Sequence, residues 1–529
     1  MNRWCLALSI AAFLPHTTLL NAQVGPLNLP ADVLARRTEL AADPYRPHYH
    51  FVAPEYTLKD PNGLLYWKGR YHMFYQLIPY RIHDGTEQHW GHAVSEDLVY
   101  WRDLPIAVRP GDPPDAPDRH GCWSGATTLV NGVPTAVYFG NPAGICIAQA
   151  HPDDELLIHW EKYRGNPIIP QAPEGSEWRA FDPDVWKEGD EWFLISGGGG
   201  KHGMPADAIG IGDTTFLLSS KNFIDWKYEH KFYTSDRKWT KLAEDCAVPD
   251  FFEIEGKHML VFTSHYHGAQ YYIGRYAPKD KKFYPESHGR LNHCSTQHVT
   301  MDSGNPIAPA TWLTPDGQRV FISWLAEGLR WPDVPKKMEW AGIMTLPRVL
   351  DLTEDGALRQ YPINALEKLR HNHRRIVART IPQDFSIVLE EVRGNTYELS
   401  VVMQPTTASE CGLGLLRSPG AQEESIVVYN REKKTLTLDA SRSTRNPDVV
   451  DKDPQIASLA LGEGEPLRLR VYVDRSVIEV FANDVRCLVK RVYPSRKDSL
   501  GVTLFARGGE ARLVSLDAWD MKAIWPTAK

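Results

Sequence analysis

The chain has 529 residues, 42% of them hydrophobic and 24% charged, which excludes a disordered protein and is too long for one ordinary domain. A formal net charge of −7, a pI near 6.3 and the lack of a basic stripe argue against a nucleic-acid partner and suit a neutral substrate. The 39 Gly, 39 Pro, 17 Trp and 22 Tyr favour a turn-rich β protein over a helical one.

Residues 1–22 have the features of a secretory signal peptide. Arg3 supplies the positive charge, residues 4–14 form an apolar run, and Ala22 is a small residue at a plausible cleavage site. The apolar run is too short to span a bilayer, and no later run approaches that length. We therefore expect cleavage after Ala22, a secreted or periplasmic location, and no membrane partner for the mature chain.

Six cysteines remain once the signal is removed, and they are scattered through the chain without metal-ligand spacing. They are Cys122, Cys146, Cys246, Cys294, Cys411 and Cys487. The sequence thus predicts neither a metal site nor another cofactor. Disulfides remain open, as does the oligomeric state.

A helix is expected at residues 31–40, and beyond it one pattern recurs five times: a turn with glycine, then an aromatic and aliphatic strand. The turn glycines are Gly69, Gly132, Gly189, Gly256 and Gly317, spaced 57 to 67 residues apart. Five units of this length predict a five-bladed β-propeller over residues 42–355. The alternative is a long β-sandwich whose turns happen to be evenly spaced.

After a short helical stretch at residues 365–370 the pattern changes to strands in which apolar and polar residues alternate. Residues 467–473 and 477–481 are examples. Strands with two different faces predict a β-sandwich at residues 375–526. The predicted fold class is therefore all-β, a five-bladed β-propeller followed by a C-terminal β-sandwich.

Three carboxylates share a position in the repeat. Asp60, Asp182 and Glu244 lie 9, 7 and 12 residues before the turn glycines of the first, third and fourth units. Equivalent positions of propeller blades converge on the central axis, so we expect the three to meet. Crowded carboxylates raise one another's pKa, which suits the ionised nucleophile and protonated acid of a glycosidase. Taken singly, Asp60 could simply begin the Pro-Asn-Gly turn that follows it.

Seven segments then occur in a characteristic order: 59–63, 74–76, 89–95, 101–107, 121–125, 340–348 and 474–481. Together they resemble glycoside hydrolase family 32, the invertases, levanases, inulinases and other β-fructosidases, over about residues 46–525. The resemblance implies the same propeller and sandwich. It also implies a secreted enzyme that releases fructose from β-fructofuranosides such as sucrose, fructo-oligosaccharides, levan or inulin.

Carried over residue by residue, the resemblance makes Asp60 the nucleophile, Glu244 the acid/base and Asp182 the stabiliser of the transition state. The family retains configuration, which places the carboxyls of Asp60 and Glu244 about 5–5.5 Å apart. The positions that match the family's fructose contacts are Asn62, Gln76, Trp123, Ser124 and Trp324.

The chain departs from the family's pattern at three of these motifs. Thr57, Leu58 and Lys59 stand where Trp-Met-Asn usually precedes the nucleophile. Phe181 stands where an Arg usually precedes the stabilising Asp. The usual Glu-Cys-Pro-Asp is replaced by residues 244–250, and alignment on Pro249 leaves Ala247 at the Glu position. A three-residue insertion must then carry Glu244 back into place, and Asp245 competes with it for the acid/base role. Two other functions stay open: a propeller glycosidase on arabinose or xylose glycans, and a carbohydrate-binding relative without activity.

Overall fold

A computed structural model describes residues 30–79, 87–111, 115–198, 213–240, 244–265, 267–293, 305–327 and 340–525. Most of it is β-strand; helix α1 (Ala31–Ala41) lies where the sequence predicts a helix, and the expected signal peptide and its cleavage site lie outside the described residues. Within these ranges, no helix has both the length and the apolar character needed to cross a bilayer.

Five sheets follow α1 in chain order and form the five blades of a propeller, as the repeat predicts. The first two blades are β1 (Tyr56–Trp67), β2 (Arg70–Ile78), β3 (His89–Ser95) and β4 (Trp101–Val108), then β5 (Cys122–Val130), β6 (Val133–Gly140), β7 (Gly144–Ala150), β8 (Trp160–Lys162) and β9 (Ile169–Pro170). The third and fourth are β10 (Pro183–Glu188), β11 (Glu191–Ser196), β12 (Phe216–Ser220) and β13 (Lys227–Lys231), then β14 (Ala247–Ile254), β15 (Lys257–Ser264), β16 (Gly268–Ala277) and β17 (Lys282–Arg290).

The fifth blade closes the ring. Its strands are β18 (Pro306–Leu313), β19 (Arg319–Leu325), β21 (Ile343–Met344), β22 (Arg348–Leu352) and β23 (Leu358–Pro362). Between β19 and β21, strand β20 (Trp340–Ala341) leaves this blade and pairs in parallel with β1 of the first. The first strands β1, β5, β10, β14 and β18 contact their neighbours around the ring, so their ends surround its axis.

Each of the five repeat glycines lies in the hairpin between the first two strands of a blade, with φ between +56° and +85°. A residue without Cβ adopts this left-handed backbone at little steric cost, which explains why glycine recurs there. The spacing of these hairpins is thus the sequence trace of the blades themselves.

The C-terminal domain is a sandwich of two antiparallel sheets. The seven-stranded sheet contains β24 (Arg370–Ile376), β25 (Arg379–Ile381), β27 (Thr396–Gln404), β32 (Leu467–Asp474), β33 (Val477–Ala482), β34 (Arg486–Arg491) and β36 (Ala511–Met521). The six-stranded sheet contains β26 (Phe385–Arg393), β28 (Glu410–Arg417), β29 (Ser425–Asn430), β30 (Thr435–Asp439), β31 (Gln455–Ser458) and β35 (Gly501–Arg507).

A 3₁₀-helix (Asn364–Leu369) joins the two domains, where the sequence suggests a helical stretch. The fifth blade continues to Pro362, beyond the expected end at residue 355, and the first sandwich strand begins at Arg370, before the expected start at 375.

The sandwich has its own hydrophobic core between the sheets. A second core crosses from the propeller into the sandwich, where Tyr49 and Phe51 belong to the same buried cluster as Tyr472 and Phe481. The backbone N–H groups of residues 48–50 all donate to the Asp474 carboxylate at 2.7–2.9 Å. The propeller is therefore held against one face of the sandwich by apolar packing and by buried polar contacts.

Candidate active site

A cleft of about 480 Å³, open solvent at its mouth included, lies where the five blades converge, and every blade contributes to its wall. Asp60, Ser124, Asp182, His265 and Trp324 are among the residues that line it. Such a concave site with a few convergent polar groups is the usual form of a ligand site.

The same irregularity of strand pairing shapes this cleft in four blades. The first strands of blades one, two, four and five each carry an extra residue against their hairpin partner, at positions 59–60, 123–124, 248–249 and 308–309. Strand β1 carries a second one at positions 63–64. A bulge of this kind turns side chains away from the regular alternation. At least one residue of each of the first four pairs lines the cleft.

Asp60 lies in the bulge of β1 and is held by two side chains. Ser124 donates from Oγ to Asp60 Oδ2 at 2.6 Å, and Gln76 Nε2 lies 3.3 Å from the same oxygen and 2.6 Å from Ser124 Oγ. Burial raises the pKa of Asp60, and the Ser124 hydrogen bond with the charges of Lys59 and His265 oppose that rise. The Asp60 carboxylate is thus held through its Oδ2 atom, in a partly desolvated position.

Asp182 immediately precedes β10 and is only 4% exposed. Burial first, and then the negative charge of Asp60, raise the pKa of Asp182 to about 7. Its Oδ1 is buried without a hydrogen-bond partner among the described residues. A buried carboxylate oxygen normally has a partner, so this atom is suited to receive a ligand hydroxyl.

His265 lines the cleft at the end of the fourth blade's first hairpin and forms an ion pair with Asp245. Its Nδ1 lies 2.6 Å from Asp245 Oδ2, and its backbone N–H donates to Asp245 Oδ1 at 2.9 Å. Burial lowers the pKa of His265, but the carboxylates of Asp245, Asp182 and Asp60 outweigh burial and raise it to about 9. Burial raises the pKa of Asp245, and His265 more than reverses this, so the net shift is downward.

Glu244, the acid/base that the sequence predicts, is 2% exposed and is not one of the described residues that line the cleft. Gln270 donates to Glu244 Oε2 at 2.5 Å, and the ring of His288 contacts Gln270 in turn. His267 and Arg290 each lie 4.0 Å from Glu244 Oε1. These three neighbours come from β16, β17 and the turn before β16.

Four of the five predicted fructose contacts line the cleft: Gln76, Trp123, Ser124 and Trp324. The fifth, Asn62, is fully buried beside it. In the orientation that satisfies both ends of its amide, Asn62 contacts the backbone of Pro61 and Gln76 at 3.1 and 3.2 Å. That places Asn62 as a support for the segment that carries Asp60.

The structure adds Lys59, Gln88 and His265 to the polar lining. Gln88 adjoins the recognised segment 89–95, and that was the one signal for it in the sequence. Gln88 Oε1 and Trp324 Nε1 are buried and lack hydrogen-bond partners within the described ranges. An acceptor and a donor of this kind suit a ligand that carries several hydroxyl groups.

Phe181, which replaces the usual Arg, lines the cleft and packs against Trp123 with ring centroids 6.1 Å apart. The guanidinium of Arg179 lies 4.5 Å from the centre of the Phe181 ring and donates to the Gly198 carbonyl. Its positive charge acts on both Asp182 and Asp245. A cation is therefore still present near the stabilising Asp, two residues earlier in the chain than the motif would place it.

No cluster of three or more His, Cys, Asp or Glu side chains that could hold a metal ion occurs among the residues that the structure describes. Five of the six cysteines are described, and all five are buried free thiols; Cys294 lies outside the described residues. The polar groups that line the cleft are carboxylates, an imidazole, an amine, amides, indole N–H groups and hydroxyls.

Comparison with known proteins gives two domain matches that together span most of the chain. Residues 50–362 match the N-terminal domain of glycosyl hydrolases family 32, and residues 365–520 match the C-terminal domain of the same family. The sequence is 30% identical over 520 residues to the sucrose-6-phosphate hydrolase of Escherichia coli, covering 94% of this chain and 99% of that one. It is 28% identical to the levanase of Bacillus subtilis, covering 91% and 71%.

Among solved structures, fructan 1-exohydrolase IIa of Cichorium intybus superposes with a TM-score of 0.78 at 24% identity, over 92% of this chain and 99% of that one. At this identity the likeness speaks for the fold. It agrees with the order of five blades followed by a sandwich.

Proposed function

The chain belongs to glycosyl hydrolase family 32 and is a glycosidase, and from that membership we propose that it is a retaining enzyme that releases fructose from β-fructofuranosides. The candidate substrates are sucrose, fructo-oligosaccharides, levan and inulin. The relatives named for sucrose 6-phosphate and levan support a fructose-containing substrate.

The observation that carries the proposal is the pair of carboxylates in one cleft. Asp60, held by Ser124 at 2.6 Å, is the proposed nucleophile, which attacks the anomeric carbon of fructose to form a covalent intermediate. Asp182, whose Oδ1 has no hydrogen-bond partner among the described residues, is the proposed partner of the fructose hydroxyls. Trp324 and Gln88 supply further hydrogen-bonding groups of the kind that a sugar needs.

The reaction also requires a group that protonates the leaving oxygen and then activates water. The sequence proposes Glu244, with Asp245 as the competing carboxylate. Neither lines the cleft, although Asp245 is joined to it through His265. Replacing each in turn, Glu244→Gln and Asp245→Asn, compares them directly on the same substrate.

The proposed specificity is tested by product analysis on sucrose, sucrose 6-phosphate, inulin, levan and short fructo-oligosaccharides. We expect free fructose as the product. NMR during the first minutes of the reaction should show that the fructose is released with retained anomeric configuration. Arabinosides and xylosides belong in the same panel, and cleavage of these without fructose release would contradict the proposal.

The role of Asp60 is tested by Asp60→Asn, which keeps the size and one hydrogen-bonding oxygen but removes the nucleophilic charge. Turnover of every fructoside should fall by at least about 10⁴-fold while the unfolding temperature stays near that of the wild type, since a nucleophile acts in every cycle. Near-normal turnover in a folded variant would rule Asp60 out.

Export through residues 1–22 is a separate proposal, and it rests on the sequence alone. Expression in a bacterium with an intact export system, followed by fractionation and N-terminal sequencing, tests it. The expected mature N-terminus is Gln23. An uncleaved chain in the cytoplasm would contradict it.

A further inference from the structure

We propose that His265, held by Asp245, is the group that exchanges the proton with the leaving oxygen and with water, in the place that a Glu normally takes in this reaction. The inference rests on the proposed function and assigns a catalytic residue to it. His265 is the catalytic residue, and Asp245 is the residue that positions it.

The position of the imidazole is the first argument. His265 shares the cleft lining with Asp60 and Asp182, and its side chain is 31% exposed, so a substrate in the cleft can reach it. Asp245 binds the ring at Nδ1 and the backbone N–H of the same residue, which fixes the orientation of the ring. The other ring nitrogen, Nε2, is then the one that carries the transferable proton.

The local sequence explains why a Glu is not at this place. Ala247 occupies the position of the family's Glu by alignment, pairs with Thr263 at the start of β14 and is fully buried. The inserted residues turn Glu244 toward Gln270, His267 and Arg290, whereas Asp245 turns toward His265. Asp245 is therefore coupled to the cleft through an imidazole.

The charges around the ring favour its protonated form. Asp245 before β14, Asp182 before β10 and Asp60 on β1 all face it and are acidic. Two cations lie nearby. The charge of Lys59 acts on Asp60. The charge of Arg179 acts on Asp182 and Asp245. An imidazolium at neutral pH is the state required of a general acid.

The two steps balance as follows. In the first, the bond from fructose C2 to the leaving oxygen breaks, a bond from C2 to Asp60 forms, and the leaving oxygen takes the Nε2 proton of His265. In the second, water attacks C2, the bond to Asp60 breaks, and neutral His265 takes the proton that water releases. Asp245 stays ionised throughout.

The test compares two leaving groups on one sugar, using the full-length enzyme. Sucrose needs a proton for its leaving oxygen, whereas p-nitrophenyl β-D-fructofuranoside releases a stable phenolate. In His265→Gln we expect kcat/KM for sucrose to fall about 100-fold or more, in keeping with the usual worth of acid–base catalysis, and to fall less than about tenfold for the aryl fructoside. In His265→Gln, added azide should accelerate cleavage of the aryl fructoside and yield fructosyl azide.

The matched control is His373→Gln, which removes another His–Asp pair, with Asp517 at 2.8 Å, on the exposed surface of the sandwich. It should leave both rates unchanged. Equal losses on both substrates in His265→Gln, or the leaving-group pattern appearing in Glu244→Gln instead, would overturn the proposal.

Asp245→Asn gives a second readout that does not depend on the His265 variant folding. Without the carboxylate the pKa of His265 should fall from about 9, so the basic limb of kcat/KM should move to lower pH. An unmoved basic limb would overturn the proposal. If the wild type cleaves only arabinosides, the proposed function fails, and the same two leaving groups on arabinose then decide the role of His265.

Discussion

Ser124 controls the charge state of Asp60 through a single 2.6 Å hydrogen bond. Because this bond favours the ionised carboxylate against the effect of burial, Ser124→Ala should raise the pKa of Asp60 further. A hydrogen bond to a charged group contributes about 1.5–3 kcal/mol, so the acidic limb of kcat/KM should move measurably to higher pH.

Ser124→Thr is the control, since it keeps the hydroxyl and should keep the wild-type acidic limb. The measurement is the pH profile of fructose release for the three proteins. An acidic limb in Ser124→Ala that coincides with that of the wild type would show that another group orients Asp60.

We expect the ionisation of Asp182 to lower the stability of the protein at neutral pH. Its pKa is about 7 in the folded chain against 3.8 for an ordinary Asp, so the folded state binds more protons between those values and stability falls as the pH rises through them. Asp182→Asn removes this dependence. The variant should therefore be more stable than the wild type at pH 8, by about 2–4 kcal/mol, and similar to it near pH 4.

The difference in stability between Asp182→Asn and the wild type is measured by thermal unfolding at pH 4, 6 and 8. Asp190→Asn, at the exposed hairpin of the same blade, is the control and should show no growing gap with pH. A constant difference between Asp182→Asn and the wild type would contradict the linkage. Activity should be lost at every pH, since the same carboxylate is proposed to hold the sugar.

At this scale the sequence predicts those residues whose place follows from the blade repeat. Motif and phase in the repeat bring Asp60, Ser124 and Asp182 together, and all three line the cleft. His265 was missed because its role depends on the inserted residues before β14, which change the partner of the neighbouring acids. The spacing of residues in the sequence does not predict in which direction a side chain points after an insertion.

At the level of the strands, the closure of the ring depends on Gly342. Its φ is +78°, and an added Cβ would lie 2.1 Å from the Leu58 carbonyl oxygen and 2.7 Å from Trp324 Nε1. Gly342→Ala should therefore destabilise the protein by about 2–4 kcal/mol, since it combines a strained backbone with a contact against the main chain of β1. It should also raise KM, because Trp324 lines the cleft.

Gly132→Ala separates the two effects. Its φ is +81°, but no atom lies within 4 Å of the added Cβ, so only the backbone term of about 1 kcal/mol is expected, with KM unchanged. Thermal unfolding and sucrose kinetics on both variants give the comparison. Equal destabilisation would mean that crowding at β1 contributes nothing.

The blades could be predicted because a hairpin glycine recurs with them, whereas the bulges could not. A bulge exists only relative to the strand with which a segment pairs. The residue types at 248–249 and 308–309 do not predict one. Val248 and Ala308 have φ of +46° and +52°, which is unusual for residues with a Cβ. Their strain is located at the cleft, where such backbone tends to serve function.

In the whole molecule, one face of the sandwich packs against the propeller. Alternation along β33 puts Glu479 on the polar face, yet it is fully buried, because the propeller covers that face and Arg348 pairs with it. The sequence can thus predict two domains but not which face of one is covered by the other. That contact is decided by residues more than 100 positions apart.

Glu327 and Arg491 form the most informative contact of this interface. Arg491 of β34 donates from Nη1 and Nη2 to the two carboxylate oxygens of Glu327 at 2.9 and 3.1 Å, and both side chains are at least nine-tenths buried. Glu327 Oε1 also accepts from the backbone N–H of Gly342. The pair therefore links the sandwich to the strand that closes the ring and lies three residues from Trp324.

Arg491→Met removes the bidentate cation partner of the buried Glu327 carboxylate, so the free energy of unfolding should fall by about 3–5 kcal/mol. Adding Glu327→Gln should recover part of that loss, because the buried carboxylate charge is then gone. Arg507→Met, which breaks an exposed pair with Glu410, should change stability by less than about 1 kcal/mol. If thermal unfolding of Arg491→Met matched that of Arg507→Met, the interface would not depend on this pair.

If the pair matters as proposed, KM for sucrose should rise together with the loss of stability, since the same carboxylate positions Gly342 beside Trp324.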